Sequence, residues 1–493
     1  MKNYCNRPLL LVKATSLIMC LTLMTACMER PKQEVVVSKN DGAFDAAIAQ
    51  TVPTASGIEP GKETVNFNFE DSFQSTDGKV DFTFQIHEEV PVCSMPVVEV
   101  VPHFLTGDEA KRAAHSLFGD VEMLEARPYF SEMYSKKEIQ EKINRWSMYC
   151  TDDAITALYG RTMANGANVV RIYIEDYTRK LETAPETIVQ DLCHWEYQES
   201  WKYAYTAEQV AAENIAISVD DEINAEILVD GIPYLFAALT RDESDYQYNT
   251  LSAEPNYGPN PINIDSQILR AKVCQVPKPT QEQIETVKEK TEKILSDMDI
   301  GTWYIDGYEV QTITRGEIVE YEIVIQAVPV FSKVRAVRQP QIGGIKSTDP
   351  VAQNYNMTDV VFHYAPNGTL LSFKMTSPVD ELRVVNSSPA VLNMEALVER
   401  AKDHMQLSDA STYGVADEEN LVCRIDINHM DYGLSRIKVP NTDYNYYYVP
   451  SAIFYGTVEI TDKTTGELFF YLENQAFLDL NAVDGSVIPL SNG

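Results

Sequence analysis

An alternation of apolar and polar residues recurs along this chain and commits those segments to half-buried strands. In Val80-Asp-Phe-Thr-Phe-Gln-Ile86 every second side chain is apolar, and Val65-Asn-Phe-Asn-Phe69 repeats the pattern. Successive side chains of a strand point to opposite faces, so such segments bury one face as half-buried strands. Val319, Tyr321, Ile323 and Ile325 alternate in the same way inside EIVEYEIVIQ, which predicts a strand with those four side chains inward. Asn367-Gly368 sits between two apolar runs in DVVFHYAPNGTLLSFKM and predicts a tight hairpin, because this pair accepts the positive φ of such turns. The closing segment LFFYLENQAFLDLNAVDGSVIPL predicts another hairpin, turning at Asp484-Gly485.

Helices interrupt these strands at defined places. Thr106-Gly-Asp-Glu109, Thr206-Ala-Glu-Gln209 and Thr280-Gln-Glu-Gln283 are capping boxes, in which the hydroxyl and the later carboxylate or amide satisfy amides at a helix start. Ala110, Ala113, Ala114, Leu117 and Phe118 mark one face after the first box, and Ile284, Val287, Ile294 and Leu295 one face after the third. Further helices are expected over 135–150, with Ile139, Ile143 and Trp146 in register, and around Leu397, Val398, Ala401 and Met405. Together these predict an α+β fold of antiparallel sheets with packed helices. The C-terminal half reads as two loose copies of one unit, a helix followed by antiparallel strands.

The N-terminus carries Lys2, Arg7 and Lys13, then an apolar run from Ala14 to Met24, then Thr25-Ala26-Cys27. Basic, apolar and small regions in that order form a secretory signal. Crossing a membrane takes about 20 apolar residues, and only about 15 lie between Lys13 and Glu29. The end of the signal resembles the lipobox of bacterial lipoproteins, in which the cysteine is acylated and becomes the mature N-terminus. Met24 stands where that pattern favours Leu. The resemblance implies a diacylglycerol on Cys27, and two acyl chains make a durable anchor. The alternative is ordinary cleavage leaving a free Cys27. Residues 28–62 are rich in small and polar residues, with Pro31, Pro53 and Pro60, a tether of roughly 30 Å reach if coiled. An apolar patch of Ala43, Phe44, Ala46, Ala47 and Ile48 suits a short helical turn docked on the body. Pro277 and Pro279 suggest a break, so the expected organisation is 1–26 signal, 27–62 tether, 63–275 an N-terminal α+β domain and 276–493 a C-terminal one.

Removing Lys2, Arg7 and Lys13 takes the formal charge from −33 to about −36. Such a surface repels nucleic acid and anionic headgroups and tolerates cationic partners. Acidity also serves solubility alone. Of eight cysteines, Cys93, Cys150, Cys193, Cys274 and Cys423 remain in the mature body. Five thiols spread over more than 300 residues are no disulfide framework, and their pairing stays open. No C-x-x-C pair indicates zinc, and no cofactor is expected. Cys93 and Cys423 read as buried small hydrophobes.

Motifs of catalysis are sparse. There is no G-x-S-x-G, H-E-x-x-H, phosphate loop, G-x-G-x-x-G or EF-hand loop. Ser435-Arg-Ile-Lys438 matches S-x-x-K but lies in a strand-like stretch without its partner motifs. Cys193-His194 suits a core thiol beside a surface imidazole better than a nucleophile pair. Asp426-Ile-Asn-His-Met-Asp431 gathers oxygen ligands that a calcium loop could use, but its spacing fits a solvated turn better. Tyr444-Asn-Tyr-Tyr-Tyr448 suits either a ligand-binding aromatic surface or strand packing. A glycosidase needs two carboxylates about 5 to 10 Å apart, which 73 acidic residues neither support nor refute.

Tyr448-Val-Pro-Ser-Ala-Ile-Phe-Tyr-Gly456 and Leu480-Asn-Ala-Val-Asp-Gly-Ser-Val-Ile488 resemble the closing strands of PepSY-like and YycI-like extracytoplasmic domains. The whole chain resembles large lipoproteins of Gram-positive gut bacteria of unknown function. The PepSY-like resemblance covers about 100 residues and implies a helix packed on antiparallel strands whose last hairpin turns at an Asp/Gly pair. It also implies binding or modulation, such as restraint of a peptidase or sensor kinase, and transfers no catalytic residue. The expectation is therefore a non-enzymatic binding or regulatory lipoprotein on the extracytoplasmic face of the cell membrane, with an envelope protein or peptide as partner. A surface hydrolase acting on glycan or peptide is the alternative. Cys27→Ser should shift the chain from the membrane fraction to the medium, read by fractionation and immunoblotting; retention on the membrane contradicts lipid anchoring.

Overall fold

The computed structural model describes residues 48–50, 64–91, 95–127, 134–200, 220–229, 232–243, 246–255, 264–316, 318–339, 358–407, 420–439 and 445–488. The signal, Cys27, most of the tether, Cys93, the Thr206 capping box and Tyr444 lie outside them.

The chain begins with β1 (Thr64–Gln74), β2 (Val80–Pro91), β3 (Val97–Pro102), α1 (Gly107–Phe118) and β4 (Met123–Glu125). Three helices follow, α2 (Lys136–Ser147), α3 (Asp152–Tyr159) and α4 (Gly166–Thr183), then β5 (Gln198–Ser200), β6 (Asp220–Val229), β7 (Ile232–Glu243) and β8 (Tyr246–Glu254). Next come α5 (Ile264–Val273), α6 (Gln281–Met298), β9 (Trp303–Arg315), β10 (Ile318–Phe331), β11 (Val334–Arg335), β12 (Asp359–Tyr364), β13 (Leu370–Thr376) and β14 (Val379–Asn386). The chain closes with α7 (Met394–Leu407), β15 (Leu421–Lys438), β16 (Tyr446–Asp462), β17 (Leu468–Asn481) and β18 (Val487–Ile488). The protein is α+β, mostly sheet.

These elements form two compact units interleaved along the chain. One gathers Met1–Val101, Phe331–Asn354 and Glu381–Gly493; the other holds Pro102–Val330 and Tyr355–Asp380. This differs from a division at 275/276. Residues 276–330 belong with the segment before them because β10 pairs with β12, β12 with β13, and β13 with β8 through Phe373↔Ala253 to Thr376↔Thr250. The two helix-plus-strands copies therefore enter separate sheets. Local periodicity identifies strands and is silent on their partners.

The first unit is a sheet in the order β1-β2-β15-β16-β17-β18, with β3 on β16 and β14 on β3. All its registered pairs are antiparallel except β2 with β15, which run parallel from Cys423↔Val80 to Ile427↔Phe84. Val80, Phe82, Phe84 and Ile86 are all buried, as their alternation requires. On β1, the outermost strand, only Phe67 is buried, and Val65 is open to solvent. Helix α7 lies against β1 and β17 and buries Leu397, Val398, Ala401 and Met405. Lys402 fastens it to β1 by a 2.5 Å ion pair with Asp71. The last hairpin turns at Asp484-Gly485, with Gly485 at φ 74° and its amide donating to the Asn481 carbonyl. Of the apolar patch in the tether, Ile48 packs with Val97, Val449 and Ile488, and Asn386 Nδ2 donates to its carbonyl at 2.6 Å. Residues 43–47 lie outside the described set.

The second unit runs β9-β10-β12-β13-β8-β7-β6, with β4 and β5 both paired to β6. Helices α1 and α6 bury the expected Ala and Ile/Leu/Val faces in one core with Phe236, Phe362 and Phe373. Both the Thr106 and Thr280 capping boxes form, and the Asn367-Gly368 hairpin closes with Gly368 at φ 80°. A smaller core joins α2 to α5 around Trp146, Leu158, Val170 and Tyr177. Strand β10 departs from expectation. Ile323 and Ile325 are buried, but Val319 is 39% exposed while Glu320 is 1% exposed and Glu322 4%. The polar face is buried because arginines stand over it, a compensation that hydropathy alone does not register.

Gly160 caps α3 at φ 64° and meets the β9–β10 turn so closely that a Cβ would lie 2.0 Å from the Arg315 carbonyl oxygen. Gly78 has a similar φ of 68° but open space around it. Gly78→Ala should cost only the left-handed penalty of about 1 kcal/mol, whereas Gly160→Ala should cost clearly more, roughly 2–3 kcal/mol. Urea denaturation of the two variants reads the difference, and equal midpoints would refute the close approach.

Candidate functional site

The residues singled out in the sequence take up structural positions. Asp426 to Asp431 lies inside β15 with a register shift at Ile427/His429, so it forms neither a calcium loop nor a solvated turn. The strand pairing dictates this, because β16 supplies a partner at each of these positions except the bulged Asn428. Ser435 is also in β15, buried, with its hydroxyl accepting from Ser451 at 2.6 Å. Cys193 is buried and its thiol pushed up to about 11 by burial, while His194 is exposed. Burial pushes Cys274 and Cys423 up to about 12. Among the described residues Cys150, Cys193, Cys274 and Cys423 are free thiols. Tyr446, Tyr447 and Tyr448 are buried, and Tyr448 packs on Phe331 at 4.4 Å between ring centroids. They serve packing and present no open aromatic surface.

Charged side chains converge at three places in the second unit. On β10, Glu320 accepts from Arg270 at 2.7 Å, from Arg315 at 2.7 Å and from Gln275 at 3.4 Å. Glu322 pairs with Arg270 and with His363 at 3.0 Å. Burial would raise the Glu322 carboxyl, but His363 and Arg270 outweigh it and hold the group below the usual range. Both carboxylates are thus committed to partners within the fold. Second, Arg127 bridges Glu138 and Glu226 and lies over the Tyr134 ring at 4.3 Å. Beside it the Lys142 ammonium sits 4.9 Å from the Tyr134 centroid and 5.6 Å from that of Trp146, with burial lowering its pKa. Third, His103 lies between Glu109 at 3.2 Å and Asp380 at 2.9 Å, where it ties the start of α1 to the segment after β13.

In the first unit Asp479 on β17 is fully buried. Gln339 donates to it at 3.1 Å and the Ser435 and Ser451 hydroxyls lie beside it. Burial dominates and pushes the carboxyl up to about 7.

The other end of β17 has the opposite character. Leu468 (54%), Phe469 (50%), Tyr471 (48%) and Leu472 (40%) are exposed large apolar side chains in one short run. Tyr471 donates to Glu473 at 2.6 Å, and Glu459 is its cross-strand neighbour on β16. Arg424 on β15 faces Glu459 at 3.9 Å. Asn474, at φ 55°, ends the run. Because successive side chains alternate, the run exposes apolar groups on both faces of the strand, and clustered exposed apolar surface marks interaction sites more often than packing accidents. In sequence, LFFYL reads only as the start of the closing hairpin, and no local signal marks it as exposed.

No family model matches the chain, and no curated protein matches it. A solved structure of an uncharacterised protein from Eubacterium rectale is similar over 90% of this chain and 98% of that one, with a TM-score of 0.39 and 9% identity.

Asp479 generates a pH dependence. Its folded pKa of about 7 lies above the ordinary aspartate value of 3.8, so its contribution is complete below the unfolded pKa and is lost as pH rises through about 7. Asp479→Asn, which mimics the protonated carboxyl, should leave stability near pH 4 little changed and raise it relative to the parent by a few kcal/mol at pH 8. Denaturation midpoints of both proteins across that range read this, and parallel curves would contradict it.

Proposed function

We propose that this chain is a cell-surface lipoprotein, held through Cys27 on the extracytoplasmic face of a cell membrane, that binds or regulates a protein or peptide. The observation that carries the binding half is the run of exposed apolar side chains at Leu468, Phe469, Tyr471 and Leu472 on β17. Leaving four large apolar groups in water forgoes burial that is favourable by about 25 cal/mol per Å². A partner that covers them recovers it. The anchoring half is supported by the basic, apolar and small regions that end at Cys27. Charged clusters elsewhere are neutralised internally, as at Glu320 and Glu322, which suits scaffolding.

The Cys27→Ser chain, immobilised and exposed to an envelope extract, should enrich a partner whose capture is abolished by Phe469→Asp/Leu472→Asp. Capture that ignores these substitutions would remove the carrying observation. Turnover of a glycan or peptide library by the same protein, with no partner enriched, would favour the hydrolase.

A further inference from the structure

Resting on that binding reading, we propose that the outer edge of β17 at Leu468–Glu473 accepts an extended, basic segment of a partner protein as an added strand. On its inner side β17 pairs with β16 from Ser451↔Asn481 to Thr461↔Leu468. On its outer side β18 pairs only with Asp479 and Leu480. Among the described residues no strand occupies the outer edge from Leu468 to Glu473. Every second N–H and C=O of that stretch therefore faces outward, a template for another chain. Proteins usually blunt such edges with lysine, proline or a bulge. Leu468–Glu473 contains neither lysine nor proline, although its register with β16 shifts once, at Phe469, and the positive φ comes only afterwards, at Asn474. The open stretch spans about 20 Å, enough for a strand of ordinary length.

The side chains define what fits. Tyr471 and Leu472 alternate across the strand, so both faces of the edge offer apolar surface to an incoming neighbour. Glu467, Glu473 and Glu459 surround it, and Arg424 offsets Glu459 alone. An occupant with alternating apolar and basic residues satisfies both demands, with main-chain bonds supplying affinity and side chains specificity. A second copy of this chain would bring another formal charge of −33 to the edge, and an anionic bilayer is repelled in the same way.

The full chain in detergent is titrated with an eight-residue peptide alternating valine and lysine, with its valine–glutamate counterpart, and with the lysine peptide N-methylated at alternate residues. Binding is read by fluorescence anisotropy and its place by amide hydrogen exchange. The lysine peptide should bind and slow exchange within 468–473, the glutamate peptide should bind at least roughly tenfold more weakly, and N-methylation should abolish binding. Tyr471→Lys/Glu473→Lys, at exposed positions whose folding circular dichroism verifies, should reverse the charge preference. Equal binding of both charges, protection confined to other strands, or an edge already protected in the free chain would each overturn the proposal. Failure here while envelope partners are still captured would sink this site and leave the binding reading standing. Loss of capture, or retention of Cys27→Ser on the membrane, would sink that reading and leave the peptide result intact.

Discussion

The parallel pairing of β2 with β15, from Cys423↔Val80 to Ile427↔Phe84, is the contact on which the first unit depends. It joins residues more than 300 positions apart, so its loop-closure cost is met before any contact rewards it. Phe82 and Phe84 offset that cost by entering the same core as Ile425 and Ile427, with Phe84 6.3 Å from Phe454. Two parallel strands cannot be joined by a tight turn. Here the connection is the whole second unit and everything up to α7, which is why the units interleave. Loss of this pairing would leave β1–β2 a two-stranded hairpin outside the sheet, held by α7 through contacts such as Lys402–Asp71.

The two units treat buried charge differently. In the second, Glu320 and Glu322 are matched by Arg270 and Arg315, which neutralise them at fixed positions, and His363 adds a hydrogen bond to Glu322. Removing one partner from such a set costs more than the set contributes, so it locks the local arrangement of α5, β9 and β10. In the first, Asp479 has amide and hydroxyl neighbours, and the carboxyl meets burial by holding its proton more tightly. Strand β17 thus carries a fully buried carboxyl at one end and an open apolar run at the other. The reason is its partners: β16 and β18 flank Asp479, while among the described residues only β16 flanks Leu468–Glu473.

Much of the local structure was legible from residue order. The Thr106 and Thr280 boxes start helices, Asn367-Gly368 and Asp484-Gly485 turn hairpins, and Val80 to Ile86 bury their alternate side chains. Each of these depends on neighbours within a few positions. Val319 failed because the arginines that bury Glu320 and Glu322 come from α5 and β9. Asp426 to Asp431 failed because strand pairing with β16 overrode a composition typical of turns. The Leu468–Leu472 run read only as part of the closing hairpin, and its exposure was not legible, since an edge strand and a central strand can share one apolar pattern.

The sequence by itself determined the α+β class, the helix starts at Thr106 and Thr280, the hairpin turns at Asn367-Gly368 and Asp484-Gly485, the acidic temperament of the surface and the lipobox-like stretch at Cys27, while α3, α4 and α5 were not read from it. These follow from local backbone chemistry, side-chain periodicity and composition. Only the tertiary structure decided which strands are neighbours, that the units interleave across 275/276, that Glu320 and Glu322 face inward, and that β17 presents an unpaired apolar edge among the described residues. Pairing and burial arise between residues far apart in the chain, where periodicity carries no information about the partner.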